Sequence, residues 1–573
     1  MEIRDAIYTV KRDCQDCHKC IRECPVKSIR VQDSIAFIVP EGCIACGNCV
    51  LACPQNAKQV RDDLALAKKL LRNGRRVVVS LAPEFVNQCE GATPAQWIHA
   101  LKLLGFYAVS EMALGAEMVS ASVRERMQGA PPRVWISSAC PVVVDYIGKY
   151  RADCLAHLVP LLSPLLSHCK MLRAHYGDEI GIVYVGSCIA KKNEAEQHPE
   201  LLDVALTFAE MERWLAEEGL RLKTMLPTAA DHFEPVEARE GALCAIEGGM
   251  SRGIAGQDGI DTLQCMAFSG LANIEQALRG IGDWRADRNL FFEMSACPGG
   301  CINGPMAIRS SSVARRRFEI LRSARPAEAR RAADIAIAER YEPRPLEIEE
   351  YTELQLSEAL RTVGKYTAED ELNCGGCGYD SCREFARALI AGNAERMMCA
   401  MYTRKLAQQK ANALLQRMPS AVVIVDEALK IVECNANFIR LFGGEAAGKT
   451  RFEGSALAGI VPCANLFRRV LESGEDIVGH DIRHERRILN TSIFTIEPNA
   501  VVGAVFQDIT EPAFQKEQII ARARAVIQKN LKTVQQIAYL LGENAADSEI
   551  ILNSIVRSFS PEDMDEDDGG SHT

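Results

Sequence analysis

Three short cysteine loops constrain this chain more than any other feature. They read Ser-Ser-Ala-Cys-Pro at 137–141, Gly-Ser-Cys-Ile-Ala-Lys at 186–191 and Glu-Met-Ser-Ala-Cys-Pro-Gly-Gly-Cys at 293–301. Together they offer four thiolates, Cys140, Cys188, Cys297 and Cys301, enough to hold one cubane iron–sulfur cluster. Glycines 299 and 300 remove side chains beside the last ligand, which reads as room for a second, bulky group bridged through one cysteine.

The N-terminus carries a second cysteine system. Residues 14–24 read Cys-x2-Cys-x2-Cys-x3-Cys-Pro, and residues 43–54 repeat the pattern. This is the run of bacterial two-cluster ferredoxins, in which the fourth cysteine serves the other cluster. It assigns Cys14, Cys17, Cys20 and Cys53 to one [4Fe-4S] cluster and Cys24, Cys43, Cys46 and Cys49 to the other. A zinc site is the alternative, but two such repeats ending in Cys-Pro are far more specific than a paired Cys-x2-Cys. His18 reads as a surface residue near the first cluster.

The mid-chain loops resemble the signature of the [FeFe] hydrogenase catalytic domain. The resemblance implies that Cys140, Cys188, Cys297 and Cys301 hold a [4Fe-4S] cluster. It makes Cys301 the bridge to a 2Fe subcluster carrying CO, cyanide and a dithiolate. It also places Lys191 facing a cyanide, with Glu194 nearby; the plain alternative for that pair is a salt bridge on a helix surface. H2 would then be split at the open iron with the dithiolate amine as base.

Departures from the family pattern matter as much. Ala139 stands where productive enzymes carry a second cysteine, and a methyl group cannot relay a proton. Segment 116–127 lacks the acidic pair that the proton path would use. Gly186 and Ser295 stand where those enzymes have methionines, so a smaller, more polar lining is expected to admit water and shift the redox potential. These replacements are those of the sensory type within the family, and imply a slow, hydrogen-responsive enzyme.

From about residue 75, apolar runs of strand length alternate with helical stretches. Val77–Pro83, Val134–Cys140 and Ile180–Cys188 read as strands, with Gln96–Leu104 and Leu161–Arg173 as helices between them. That alternation indicates an α/β core with mainly parallel sheet. Cys140 and Cys188 fall at the carboxyl ends of strands, where open α/β sheets collect ligands.

Cys374, Cys377, Cys382 and Cys399 form a further Cys-x2-Cys-x4-Cys-x16-Cys set. It resembles a small Fe–S domain of electron-transport proteins and would hold a fourth [4Fe-4S] cluster, with structural zinc as the alternative. Segments 418–427, 430–438 and 504–510 resemble a PAS domain. Residues 443–450 match a phosphate-loop pattern, but the preceding segment 435–442 looks helical, so the match is taken as chance. From Gln515 the chain reads as a long helix. Ile520, Ile527, Val534 and Leu541 recur every seven residues, Ala523 and Ile537 share the seam, and Asn530 could fix its register. This supports a homodimer through the C-terminal helix, the other reading being a helix packed back on the PAS domain.

The whole is a multidomain α/β and α+β chain. Its expected parts are a 2x[4Fe-4S] ferredoxin-like domain (1–62), a hydrogenase catalytic domain (63–345), a small [4Fe-4S] domain (346–403), a PAS domain (404–511), a signalling helix (512–560) and an acidic tail (561–573). Its 573 residues are 48% hydrophobic and 25% charged, as in globular protein. Twenty-three cysteines at metal-ligand spacings, with no secretory leader, indicate reduced thiolates and a cytoplasmic location. No apolar run has membrane-spanning length, and a net charge of −10 offers no footprint for nucleic acid. H2 and protons are the expected substrates, ferredoxin the expected redox partner, and a kinase or phosphatase the expected signalling partner. Two rivals stay open: an ordinary ferredoxin-linked hydrogenase, and a non-catalytic Fe–S assembly or scaffold protein. Cys89, Cys154, Cys169, Cys244, Cys265, Cys434 and Cys463 lack companions and read as packed thiols.

Overall fold

Alternating apolar strands and amphipathic helices do build parallel sheets here. The computed structural model describes residues 5–128, 130–255, 263–326, 335–347, 349–443, 452–485, 487–510 and 525–534. They form two compact units that divide between Met398 and Cys399.

In the first unit, strand Val77–Leu81 is buried along its whole length. A near-continuous run of β-branched residues suits a strand covered on both faces. It pairs in parallel with Ala108–Glu111 on one side and Gly181–Gly186 on the other, and Val204–Thr207 extends the sheet. A second parallel sheet joins Leu263–Ser269, Asn289–Ser295 and Val134–Ile136. The expected strands and helices are therefore present, with shorter strands than the apolar runs suggested. Helix Pro94–Leu103 starts at a Thr93–Gln96 capping box, and Phe208–Glu217 at a Thr207–Glu210 box. Helices Ala113–Gln128 and Pro164–Tyr176 cross closely: a Cβ on Gly115 would lie 1.9 Å from the Pro164 carbonyl oxygen.

The N-terminal segment has the repeat its cysteines predict. Each cysteine loop leads into a short helix, Lys19–Arg22 and Asn48–Ala52. Two antiparallel pairs flank them, Ile7–Thr9 with Lys58–Val60 and Ile29–Gln32 with Ile35–Ile38. His18 is half-buried and bonds Asp16 at 3.0 Å. Further on, helices Glu353–Arg361 and Cys382–Ile390 pack through Leu356, Leu360 and Ala386.

The second unit is a five-stranded antiparallel sheet in the order Ile431–Cys434, Ala421–Val425, Val501–Asp508, Arg487–Glu497, Ile477–His484. Phe438, Phe467 and Phe506 fill its core, and Cys434 and Cys463 are packed thiols there. Helix Ala436–Phe442 precedes the phosphate-loop look-alike, whose residues 444–450 lie outside the described residues. Residues 525–534 are helical, carrying Ile527, Asn530 and Val534, while Ile520, Ala523, Ile537, Leu541 and the acidic tail lie outside the described residues. Among the described residues no helix is long and apolar enough to cross a membrane.

Candidate metal centre

The three mid-chain loops meet because their strands end together. Cys188 follows strand Gly181–Gly186 by two residues, Cys297 follows Asn289–Ser295 by two, and Cys140 opens helix Pro141–Tyr150 just beyond Val134–Ile136. All four cysteines, Cys140, Cys188, Cys297 and Cys301, line one enclosed cavity together with Ala139, Ser295, Lys191, Glu84 and Tyr184.

Each sulfur keeps some surface because it borders this cavity. The protein around them is nonetheless dense enough to disfavour thiolate. Burial pushes the Cys188 thiol up to about 12, with the charge of Cys140 adding to it. Cys297 is raised well above the ordinary thiol range, first by burial and then by Cys188, Cys140 and Cys46, and Cys301 likewise by burial and then by Glu84, Cys297, Cys140 and Cys188. Such a set becomes thiolate when cationic metal supplies the compensating charge. The donors fit an iron–sulfur cluster in number, element and convergence.

Lys191 and Glu194 lie on helix Ala190–Gln197, which begins two residues after Cys188. Lys191 Nζ stands 2.6 Å from Glu194 Oε2 and 3.2 Å from Ser163 Oγ, and both charged side chains are buried. The surface salt-bridge alternative is thereby excluded. Burial opposes the Lys191 charge, but Glu194, Cys188 and Cys140 outweigh it and hold the ammonium above its ordinary range.

Glu84 escaped the sequence reading, though it follows a proline at a strand end. It is wholly buried; its Oε1 accepts from Ser187 N at 3.2 Å and Ser187 Oγ at 2.7 Å. Ser187 Oγ also lies 2.9 Å from the Cys301 carbonyl oxygen, so the Glu84 carboxylate and that carbonyl are the two acceptors open to its one proton.

Two expectations need correction. Gly186 does not open the lining: a Cβ there would lie 2.0 Å from Tyr184 Oη, so the phenol two residues back on the same strand face fills that volume. Gly300 leaves no space for a ligand either. Its backbone, at φ +102°, lies against residues 245–247, where a Cβ would meet the Ala245 carbonyl oxygen at 2.5 Å. Cys244 packs against the core, as a packed thiol should, and also borders the cavity. Segment 116–127 offers the cavity no acidic pair, as expected. Glu117 accepts from the backbone amides of Arg239 and Gly241, and Glu125 is exposed.

The N-terminal cysteines sort by proximity into two groups. The charges acting on Cys20 come from Cys14, Cys17 and Cys53, and those on Cys49 from Cys46, Cys43 and Cys24. Lys58, buried and bonded to Thr9 Oγ1 at 2.7 Å, lowers both Cys20 and Cys49 against the larger effect of burial. Loop 42–47 sits against the catalytic loops. Lys149 Nζ donates to the Cys43 carbonyl and Tyr150 Oη to the Gly42 carbonyl, each at 2.7 Å. A Cβ on Gly47 would strike Pro305 at 2.5 Å. Cys46 is among the charges felt by Cys297.

Segment 373–395 docks on the same N-terminal fold. Lys27 Nζ donates to the Gly378 carbonyl at 3.0 Å, Val31 N to the Asn393 carbonyl at 2.9 Å and Asp33 N to Glu395 Oε1 at 2.7 Å. Tyr379 is buried within this contact, and its hydroxyl has no hydrogen-bond partner among the described residues. After burial, the influences on that phenol are the charges of Cys377 and Cys24. An orphaned donor between two cysteine loops is what a sulfur-rich cluster would satisfy. Cys399 opens the second unit at the start of helix Ala400–Arg417.

Cysteine loops at strand ends, in an α/β core fronted by a ferredoxin-like fold, define an iron–sulfur electron-transfer protein. The family comparisons narrow this. Residues 75–305 match the iron only hydrogenase large subunit, C-terminal domain, residues 6–54 a 4Fe-4S dicluster domain, and residues 370–401 an Fe-S cluster family. The chain is an [FeFe]-hydrogenase-like iron–sulfur protein. Among solved structures, the [FeFe]-hydrogenase HydA(deltaEFG) is 18% identical over 46% of this chain and 88% of its own, with a TM-score of 0.37. A glutamate variant of HydA1 from Chlamydomonas reinhardtii is 18% identical over 46% and 91%, also at 0.37. The Rhodobacter sphaeroides LOV protein is 16% identical over 27% of this chain and 98% of its own, at 0.19. No curated protein matches the chain.

Proposed function

We propose that the chain is a sensory [FeFe] hydrogenase that activates H2 slowly and reversibly and passes electrons to a PAS signalling module. The observation that carries this is the enclosed cavity, where Cys140, Cys188, Cys297 and Cys301 converge beside the buried Lys191–Glu194 pair. Cys140, Cys188, Cys297 and Cys301 would hold the group, with Cys301 the ligand to its 2Fe subcluster, and when bound it would supply the heterolytic cleavage of H2. Lys191 would present a cation to an anionic ligand of that group, Glu194 and Ser163 hold its ammonium in place, and Glu84 anchors the loop that carries Cys188 through the Ser187 amide.

Slow turnover follows from what the cavity lacks. Ala139 lines it with a methyl group, and Glu117 is engaged with backbone amides, so no titratable chain leads from Ala139 along that helix. Proton exchange by a positioned acid or base contributes about 10²–10⁴-fold where it is present.

Four [4Fe-4S] clusters make up the relay. The Cys24, Cys43, Cys46 and Cys49 set lies next to the catalytic loops, the Cys14, Cys17, Cys20 and Cys53 set farther along the N-terminal fold, and Cys374, Cys377, Cys382 and Cys399 hold the fourth. Output goes through the PAS domain to a kinase or phosphatase, and the protein works as a cytoplasmic homodimer with ferredoxin as an electron partner. The PAS reading is supported by a five-stranded antiparallel sheet whose last strand pairs with its first. Hydrogen–deuterium exchange and hydrogen oxidation by the matured protein test this proposal. Slow but measurable rates support it, and rates equal to those of productive enzymes contradict it.

A further inference from the structure

Tyr184 lies on strand Gly181–Gly186, two residues before Gly186 and four before Cys188. Its side chain is 2% exposed. The ring leans along the strand into the volume that a side chain at 186 would take: from an added Cβ there, Oη is 2.0 Å away, Cζ 2.3 Å and Cε1 2.9 Å. It lines the same cavity as Cys188, Cys301, Glu84 and Lys191. Its hydroxyl makes no hydrogen bond within the described residues. Of the neighbouring polar groups, Glu84 is held through Oε1 by Ser187, and Lys191 by Glu194 and Ser163.

We propose that Tyr184 is a direct ligand-positioning residue of this centre, its hydroxyl donating a hydrogen bond to an acceptor atom of the group held at Cys301. The chemical class of that acceptor is a metal-bound diatomic, a cyanide nitrogen or a carbonyl oxygen. The inference rests on the proposed function and adds to it. The cavity on the Gly186 side is not a gap filled by water but a site with its own fixed donor. Gly186 and Tyr184 act as one unit, because the absent side chain at 186 is what lets the phenol reach the cavity. A donor to a metal-bound cyanide or carbonyl withdraws charge from the metal, so the pair sets how readily the centre is reduced.

Infrared spectra of the matured full-length protein test this, comparing the parent with Tyr184→Phe, Gly186→Ala and the double variant. In the parent, CO and cyanide bands are expected. Tyr184→Phe should move at least one of them without changing their number. Gly186→Ala should move the same band, since its methyl group displaces the phenol, and the double variant should match Tyr184→Phe alone. Bands that are identical in the parent and Tyr184→Phe overturn the inference while leaving the proposed function intact, as do independent, additive shifts in the double variant. Absence of diatomic bands from the parent overturns the functional reading on which the inference stands. Iron content of each variant separates a moved band from lost cofactor: it should be the same in all four, and the inference fails if bands move only in proportion to lost iron.

Discussion

Lys191 Nζ stands 2.6 Å from Glu194 Oε2, three residues along one helix, and both side chains are buried. The same spacing on an exposed helix face stabilises by about 0.2–0.5 kcal/mol. Here, removing one partner leaves the other charge buried and alone, at a cost of roughly 3–5 kcal/mol. Lys191→Met or Glu194→Gln should therefore destabilise the cofactor-free protein by several kcal/mol in urea unfolding. The Lys191→Met/Glu194→Met double variant should lose less than either single. Additive losses would contradict a coupled pair.

Lys192 makes a comparable prediction for the join between the N-terminal fold and the core. It is 1% exposed, and its ammonium lies 3.0 Å from Asp63 Oδ2, from the Ala205 carbonyl and from both Glu210 oxygens. Lys192→Met should cost about 3–5 kcal/mol by leaving the buried Glu210 carboxylate without a cation, while Asp63 keeps Arg61. Proteolysis between residues 54 and 75 should accelerate in step with that loss.

Restoring a thiol at position 139 tests the account of slow turnover. Ala139→Cys puts a proton carrier at the cavity wall, but Glu117 stays bound to the amides of Arg239 and Gly241. Hydrogen evolution should rise less than about tenfold, well short of the roughly 10²–10⁴-fold of a complete relay. A full restoration by this change alone would show that the rest of the path is present.

The orphaned Tyr379 hydroxyl gives opposite outcomes with and without clusters. In iron-free protein, Tyr379→Phe should stabilise by about 1–3 kcal/mol, because an unsatisfied buried donor disappears. In cluster-loaded protein the same change removes a donor to cluster sulfur, and one [4Fe-4S] potential should become more negative in an EPR-monitored titration. An unchanged set of potentials would place the hydroxyl away from any cluster.

Glu111 supplies a pH dependence. Burial first, then Glu237 and Glu117, raise its carboxyl to about 7, against the Ala238 amide and Arg325, which lower it. The folded state therefore holds a proton that the unfolded chain has released above pH 4.5. The stability tied to this group is intact below that pH and is lost as pH rises towards 7. Glu111→Gln should match the parent at pH 4.5 and exceed it by about 3 kcal/mol above pH 7. A gap that does not change with pH would contradict the shift.

Much of this was legible because cysteine spacing and strand periodicity are local signals. The doubled Cys-x2-Cys-x2-Cys-x3-Cys-Pro run and the strand-end positions of Cys140 and Cys188 could be read directly from the sequence. What the sequence hid was volume and partnership across loops. Gly186 and Gly300 looked like open space, yet Tyr184 and the 245–247 backbone fill it. Glu84 and Lys58 carry no motif, and only folding brings them to the cysteines. Whether Lys191 and Glu194 were a surface pair or a buried one turned on tertiary packing that helical spacing does not encode.

The central claim is that Cys301 joins a cubane to a diatomic-bearing two-iron unit. Infrared spectroscopy of matured parent and Cys301→Ala protein tests it most directly. The account predicts CO and cyanide bands in the parent and none in the variant, with the N-terminal clusters still visible by EPR. Bands absent from the parent, or retained in Cys301→Ala, would contradict it.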